Sequence, residues 1–191
     1  MSALPRYTSA QAYLDDERSA ATRHEFLDGQ VYAMAGASER HNQLASALHY
    51  TLYGQLAAGD CQVFQSDMRV QAGESAYFYP DLVVVCGPAQ YADPRRDTLL
   101  NPAVIIEVLS PSTEDFDRGR KFWHYRALPS LSDYLLVAQA RLQVEHYTRQ
   151  SADIWMLQDF TQPQDRVVLA SVGCTLALDA LYRRVNFEDS V

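Results

Sequence analysis

Two short apolar runs constrain the fold of this chain more than any other feature. The first is Leu82-Val83-Val84-Val85-Cys86 and the second spans residues 103–109, where Glu107 is the one polar residue. Strands without polar alternation are typically buried on both faces, in the interior of a sheet. The sequence therefore predicts two central strands of a sheet that is covered on both sides.

Helical and strand-like segments surround these two runs. The longest predicted helix covers residues 38–58, where leucine recurs every four residues along one stripe. The other expected elements are a helix over 7–18 capped by Thr8 or Ser9, a hairpin at Asp28-Gly29, strands over 61–71 and 77–86, a loop over 87–102, a helix over 112–128, late strands over 134–138, 142–148, 153–158 and 167–172, and a helix over 178–183. This order predicts the α/β or α+β class, with a mixed β-sheet flanked by helices and additional C-terminal strands.

Length and composition favour one cytoplasmic domain spanning residues 1–191. No apolar run approaches the roughly 18 residues that span a bilayer, and the first residues lack the apolar region of a secretory signal. The three cysteines are widely spaced, so neither a zinc site nor a disulfide framework is expected. Cys61 and Cys86 are instead predicted to be small buried hydrophobic residues.

The net charge of −8 argues against a surface that binds nucleic acid over its whole extent. A local positive patch could still bind nucleic acid. Such a patch could come from Arg118, Arg120 and Arg126, which lie on or near one predicted helix. A solvated helix face is the alternative interpretation of these arginines. Among the 16 basic residues only Lys121 is a lysine. Because ammonium and guanidinium groups differ in chemistry, a lysine retained in such a composition suggests a position that arginine cannot fill.

Each central strand carries one carboxylate. Asp81 begins the first strand after Pro80, and Glu107 lies inside the second. A carboxylate in an apolar strand is costly to bury unless it is paired or bound to a metal. Two carboxylates on neighbouring strands would repel each other unless a cation lay between them. Oxygen ligands of this kind suit Mg²⁺ or Mn²⁺.

Simpler interpretations exist for each of these residues. Asp81 could be a strand-entry residue facing water, and Glu107 could pair with an arginine. Lys121 lies four residues after Asp117, so an ordinary ion pair on a helix surface would also explain it. The combination of the three residues favours a site.

Three motifs give the chain a resemblance to a known family. They are Tyr79-Pro80-Asp81, then Glu107-Val108-Leu109-Ser110-Pro111-Ser112-Thr113, then Asp117-Arg118-Gly119-x-Lys121 followed by Tyr125. Together they resemble the Uma-type restriction endonuclease family of the PD-(D/E)XK superfamily. The likeness extends through Glu25 and His41 to the late strands. The string from Glu107 to Thr113 is the most specific part of it.

The resemblance implies a restriction-endonuclease-like fold with a metal site at the edge of its sheet. Asp81 and Glu107 match the metal ligands, and the implied cofactor is Mg²⁺ or Mn²⁺. The superfamily pattern expects a lysine at position 109, where this chain has Leu109. Lys121, on the following helix, matches the catalytic lysine of this branch. Glu25 matches a further acidic position that assists the metal or its water, or else is a solvated hairpin residue. His41 also matches, although a histidine near a helix N-terminus is more often structural.

The leading hypothesis is therefore a Mg²⁺-dependent endonuclease that hydrolyses phosphodiester bonds in DNA, with Asp81, Glu107, Lys121 and Glu25 as catalytic residues. The alternative is an inactive nuclease-fold protein that binds nucleic acid or a protein partner, which the acidic charge would favour. A structural scaffold with a chance pair of carboxylates is a third possibility. Cleavage of both strands would favour a homodimer with two active sites.

Overall fold

The computed structural model describes residues 3–4, 7, 9–34 and 36–187. Its helices are α1 (Ala10–Glu17), α2 (Glu39–Leu56), α3 (Glu114–Phe116), α4 (Phe122–Tyr125) and α5 (Leu178–Leu181), with a π-helical turn over Asp117–Lys121. Its strands are β1 (Ala3–Leu4), β2 (His24–Leu27), β3 (Gln30–Ala33), β4 (Cys61–Gln65), β5 (Arg69–Gln71), β6 (Ala76–Phe78), β7 (Leu82–Cys86), β8 (Thr98–Leu99), β9 (Val104–Leu109), β10 (Asp133–Ala138), β11 (Val144–Arg149), β12 (Trp155–Phe160), β13 (Arg166–Leu169) and β14 (Cys174–Ala177).

The strands form two six-stranded sheets and a separate hairpin. The amino-terminal sheet has the order β1-β3-β2-β6-β5-β8, and the central sheet has the order β12-β11-β10-β9-β7-β4. In the central sheet β9 and β10 are parallel and the other pairs are antiparallel. The predicted class, a mixed sheet flanked by helices with additional C-terminal strands, is confirmed. The second sheet was not predicted.

The two apolar runs are the neighbouring strands β7 and β9. They pair antiparallel, with Leu82 opposite Ile106. Four leucines of α2 cover one face of the central sheet: Leu44, Leu48, Leu52 and Leu56. The helical segment 114–125 and the amino-terminal sheet cover the other face, where Tyr125 and Phe78 pack against Val83 and Ile105. Both strands are therefore buried on both faces, as their continuous apolar pattern predicted.

Local sequence signals fix the N-terminal elements. Asp28 and Gly29 join β2 to β3, and both have positive φ, at 49° and 81°. Two such residues match the right-handed twist of a hairpin, which is why Asp-Gly predicts one. Ser9 caps α1 through its side chain. Thr8, the other predicted cap, lies outside the described residues.

Some predicted elements are wrong in their limits. The strand over 61–71 divides into β4 and β5, which belong to different sheets. The loop over 87–102 contains β8, which pairs with β5. The strand over 167–172 is β13 and the turn that follows it, since Gly173 has a φ of 67° and leads into β14. Within the described residues, no helix combines the length and the apolar character needed to cross a membrane.

Cys61 and Cys86 correct a further prediction. They are opposed across the antiparallel pair of β4 and β7, and a disulfide bond joins them. Both are half-buried rather than buried. Their wide spacing in sequence gave no sign of this pairing, which depends on the register of the two strands.

Candidate active site

The π-helical turn brings three polar side chains to one side of the helical segment. Asp117, Lys121 and Tyr125 follow each other at intervals of four residues, and all three are buried. π-helical turns widen a helix by one residue and recur at functional sites. Thr113 precedes α3 without a side-chain capping bond.

Lys121 is the centre of a buried charge cluster, which we call the lysine cluster: Lys121, Glu25, Glu107 and Asp117. Lys121 Nζ lies 2.9 Å from Glu25 Oε1, 3.2 Å from Glu107 Oε1 and 3.2 Å from Asp117 Oδ1. Glu25 comes from β2, Glu107 from β9, and the other two from the π-helical turn. Three carboxylates therefore share one ammonium group, and two of them come from different sheets.

Burial perturbs the ionisation of this cluster. Burial raises the pKa of Glu107 well above its usual value; Lys121 opposes this effect, while Asp117, Asp81 and Glu25 add to it. Burial also raises the pKa of Glu25, and here Lys121 and the Tyr79 N–H oppose it. For Lys121, burial alone would lower the pKa, but the surrounding carboxylates outweigh it and raise the pKa well above normal. Lys121 is therefore held as an ammonium ion, and three carboxyl groups surround that single positive charge.

Asp81 lies beside this cluster, at the start of β7. Its Oδ2 accepts a hydrogen bond of 2.7 Å from the N–H of Val108, the residue after Glu107. His41 Nε2, from the first turn of α2, lies 3.2 Å from the same oxygen. Burial alone would lower the pKa of His41, but Asp81 outweighs burial and raises it. His41 Nδ1 is buried and has no hydrogen-bond partner among the described residues.

These residues line one cleft with a volume of about 530 Å³. All four residues predicted as catalytic, Asp81, Glu107, Lys121 and Glu25, contribute to its walls, as does His41. Glu25 is buried, so the alternative of a solvated hairpin residue does not hold for it. The ion pair between Asp117 and Lys121 exists, but in the interior and not on a helix surface.

The predicted positive patch does not face this cleft. Arg118 binds Glu145 and Glu114, and Arg126 lies over the ring of Trp123 at 3.7 Å from its centroid. Arg120 contacts Tyr32 and Phe116, and none of the three arginines lines the cleft. The alternative interpretation, a solvated helix face, does not describe Arg118 either, since this side chain is paired and only partly exposed.

Two members of the site were not predicted. Asp117 supplies the third carboxylate, and the Tyr125 hydroxyl donates a 3.3 Å hydrogen bond to Glu107 Oε1. The repeat of four residues from Asp117 through Lys121 to Tyr125 could have indicated that all three share one face.

Comparisons with known proteins assign the chain to a family and agree with this fold. The sequence model of the Uma2 family, described as "Putative restriction endonuclease", matches residues 10–180. This chain belongs to the Uma2 family. Two relatives from Synechocystis sp. carry the names "Uncharacterized protein slr1290" and "Uncharacterized protein sll1609". The first is 36% identical over 182 residues, covering 94% of this chain and 93% of its own. The second is 37% identical over 158 residues, covering 82% and 89%.

A solved structure supports the same fold. It is the crystal structure of a "putative nuclease belonging to DUF820" from Anabaena variabilis, with a TM-score of 0.74 and 16% sequence identity. The alignment covers 87% of this chain and 93% of that one. The predicted resemblance to this endonuclease family, and the nuclease-like fold that it implied, are confirmed.

Nuclease-like families usually depend on a divalent metal ion, which needs a set of suitable ligands. Among the described residues, no group of three or more His, Cys, Asp and Glu side chains is arranged as a complete metal site. Mg²⁺, however, typically takes only one or two protein carboxylates and keeps several waters. Asp81 and Glu107 supply such oxygens, and Glu25 Oε2 is buried without a hydrogen-bond partner in the described part of the chain. The unbalanced negative charge and hard oxygen donors fit a divalent cation.

Proposed function

We propose that this Uma2 protein is a Mg²⁺- or Mn²⁺-dependent endonuclease that hydrolyses phosphodiester bonds in DNA. The observation that carries the proposal is the lysine cluster: three buried carboxylates around one ammonium group, in a cleft that Asp81 also lines. Asp81 and Glu107 would hold the metal. A bound metal ion would supply charge that polarises a phosphate and lowers the pKa of a water molecule.

The protein's own residues would position and stabilise the reacting groups. Lys121 stays protonated and would offset negative charge that develops on the phosphate. Glu25 fixes Lys121 from the opposite sheet through Oε1, and its Oε2 is free to accept a hydrogen bond from water. The Val108 N–H holds the Asp81 carboxylate beside the strand that carries Glu107. Nuclease chemistry of this kind depends on such preorganised charges.

The test is cleavage of plasmid and oligonucleotide DNA with Mg²⁺ or Mn²⁺. We expect Asp81→Asn and Glu107→Gln to lower the rate at least about 100-fold, because each removes a charge without changing the shape of the side chain. Glu145→Gln is the matched control, since Glu145 is a largely buried carboxylate that pairs with Arg118 outside the cleft. Absence of cleavage on every substrate, or rates that the two cleft substitutions leave unchanged, would contradict the proposal.

A second candidate is a nuclease-fold protein that binds nucleic acid or a protein partner without cutting. The three carboxylates within 3.2 Å of Lys121 Nζ favour it, because they already neutralise the charge of that ammonium group. Binding measurements separate the two candidates. DNA affinity that falls with salt, together with no uptake of Mg²⁺ or Mn²⁺, would favour the second.

The proposal also covers the oligomeric state and the cellular location of the protein. A homodimer would supply two active sites for the two strands of a duplex, and sedimentation of the purified protein would test this. The cytoplasm is the proposed location.

A further inference from the structure

The outer face of α2 begins at the cleft and continues away from it. Asn42 and Ser46 line the cleft. One and two helical turns further along the same side lie His49 and Tyr53, with Tyr50 beside them. The four buried leucines of α2 occupy a different side of the helix, so these residues are not required for the core. We call His49, Tyr50 and Tyr53 the α2 tyrosine face.

Large aromatic rings on this face are exposed to solvent. Tyr50 is 82% exposed and Tyr53 is 62% exposed. The His49 and Tyr53 rings are nearly parallel, with centroids 5.8 Å apart and an interplanar angle of 26°. Adjacent exposed aromatic rings next to a cleft are typical of binding surfaces, since isolated exposed residues are common but clusters are not.

The charge around this face differs from that of the chain as a whole. The protein has 24 acidic residues in 191, yet α2 carries one acidic residue, Glu39 in its first turn, and residues 40–59 contain no Asp or Glu. The same stretch contains Arg40, His41 and His49. A polyanion would therefore meet less repulsion along α2 than the net charge of −8 suggests. The stretch nevertheless lacks the series of lysines and arginines with which proteins usually neutralise the phosphates of a duplex or a single strand, so binding here would depend on the aromatic rings.

We propose that the α2 tyrosine face binds a single-stranded segment of DNA that leads into the cleft, with bases stacked on its rings. Aromatic side chains bind single strands in this way, whereas bases inside a duplex are already stacked on each other. From Asn42 to Tyr53 the helix rises by about 16 Å, enough to follow about five nucleotides at duplex spacing. The proposal rests on the proposed function for the route that the strand takes, because it assumes that the cleft receives a phosphodiester.

The experiment measures the binding of a fluorescent oligothymidine of about 20 nucleotides by anisotropy, in EDTA so that no cleavage occurs. We expect Tyr50→Ala/Tyr53→Ala to weaken binding about tenfold or more, and Tyr50→Phe/Tyr53→Phe to retain it, because phenylalanine still stacks. Trp123→Ala is the matched control, since Trp123 is 62% exposed but lies outside the cleft and α2. We expect it to change the affinity less than about twofold, and the same alanine pair to affect a duplex of equal length less than the single strand.

Several outcomes would overturn this proposal. One is an oligothymidine affinity that the alanine pair leaves unchanged, or that Trp123→Ala lowers equally. Another is an equal loss in the phenylalanine pair, which would assign the effect to the hydroxyl groups. A third is an unchanged DNA affinity with conversion of a dimer to a monomer in sedimentation, which would make the face a contact between two copies. Single-strand binding through this face without any cleavage would support this proposal and contradict the proposed function. Metal-dependent cleavage without single-strand binding would contradict this proposal and support the proposed function.

Discussion

Two networks of charged side chains, one buried and one partly exposed, meet at Tyr79 and differ in their balance of positive and negative charge. The lysine cluster has three carboxylates around one ammonium group. The second network, which we call the arginine network, pairs Arg18 and Arg69 with Asp93 and Asp97. The Tyr79 N–H donates to Glu25 in the first, and the Arg69 guanidinium donates to the Tyr79 hydroxyl in the second. The networks are therefore direct neighbours in the same protein interior.

The pKa values of their carboxylates shift in opposite directions. In the arginine network, burial alone would raise the pKa of Asp97, but Arg18, Arg69 and Thr98 outweigh it and hold that pKa far below its usual range. In the lysine cluster, burial and the neighbouring carboxylates prevail, and the pKa of Glu107 rises. A balanced network satisfies its own charges, whereas an unbalanced one requires a proton or a cation from outside. The two networks also differ in burial, since Asp97 is one-third exposed and Glu107 is almost fully buried. The comparison separates a network that stabilises the fold from one suited to binding.

The largest effect is expected when the lysine cluster loses its only cation. Lys121→Met should lower the free energy of unfolding by about 3 kcal/mol near neutral pH, because it leaves buried carboxylates without a partner. The loss should shrink in acid, where the carboxylates are protonated. Urea unfolding at two pH values measures it. Arg118→Met is the control in the same helical segment, with a partly exposed ion pair and an expected cost of less than about 1 kcal/mol. Equal costs for the two substitutions would remove the distinction between the cluster and an ordinary pair.

A substitution in the arginine network should lower the stability of the protein without changing its metal binding. Arg69→Met should cost about 2 kcal/mol, less than Lys121→Met, because Asp97 is one-third exposed and can be solvated. The stabilisation of the protein by Mg²⁺ should remain, since Arg69 does not line the cleft. Thermal unfolding with and without Mg²⁺ tests both expectations. If Arg69→Met removed the response to Mg²⁺, the two networks would be functionally coupled through Tyr79.

The sequence predicted the lysine cluster better than the arginine network, for a physical reason. Asp81 and Glu107 interrupt apolar strands, and the cost of burying a carboxylate makes such an interruption informative. Lys121 was identified by its resemblance to the family lysine, since its spacing from Asp117 is equally typical of a surface pair. Asp117 itself was missed on that account.

The arginine network left no comparable signal. Arg69 lies in a three-residue strand, and its partners Asp97 and Thr98 come from a segment that was predicted to be a loop. Their meeting depends on the parallel pairing of β5 with β8, a contact between residues far apart in sequence. The division of residues 61–71 between two sheets likewise depends on strand pairing between residues far apart in sequence. Periodicity predicts which strands are buried, but it does not determine which strands pair.

The smallest and most specific effect is expected from Glu107→Gln. Without metal, its free energy of unfolding should stay within about 1 kcal/mol of the original or rise, because it relieves repulsion among Glu107, Asp117 and Asp81. The pKa of Glu107 is raised in the folded state, so this group favours folding in acid, and that contribution is lost as pH rises above about 4.5 and through the raised pKa. The substitution should flatten that decline. Lys121 does not contribute to the pH dependence of stability in this range, because its raised pKa affects stability only above about pH 10.

Mg²⁺ binding should show the opposite pH dependence, since the metal needs ionised carboxylates. In the original protein a tenfold excess over Kd should add about 1.4 kcal/mol, and this stabilisation should grow as pH rises through the raised pKa of Glu107. Glu107→Gln should abolish it, and Glu145→Gln should retain it. Thermal unfolding between about pH 5 and pH 8, with and without Mg²⁺, compares the three proteins. A Glu107→Gln protein that Mg²⁺ still stabilises would show that the unbalanced charge of the lysine cluster is not what binds the metal.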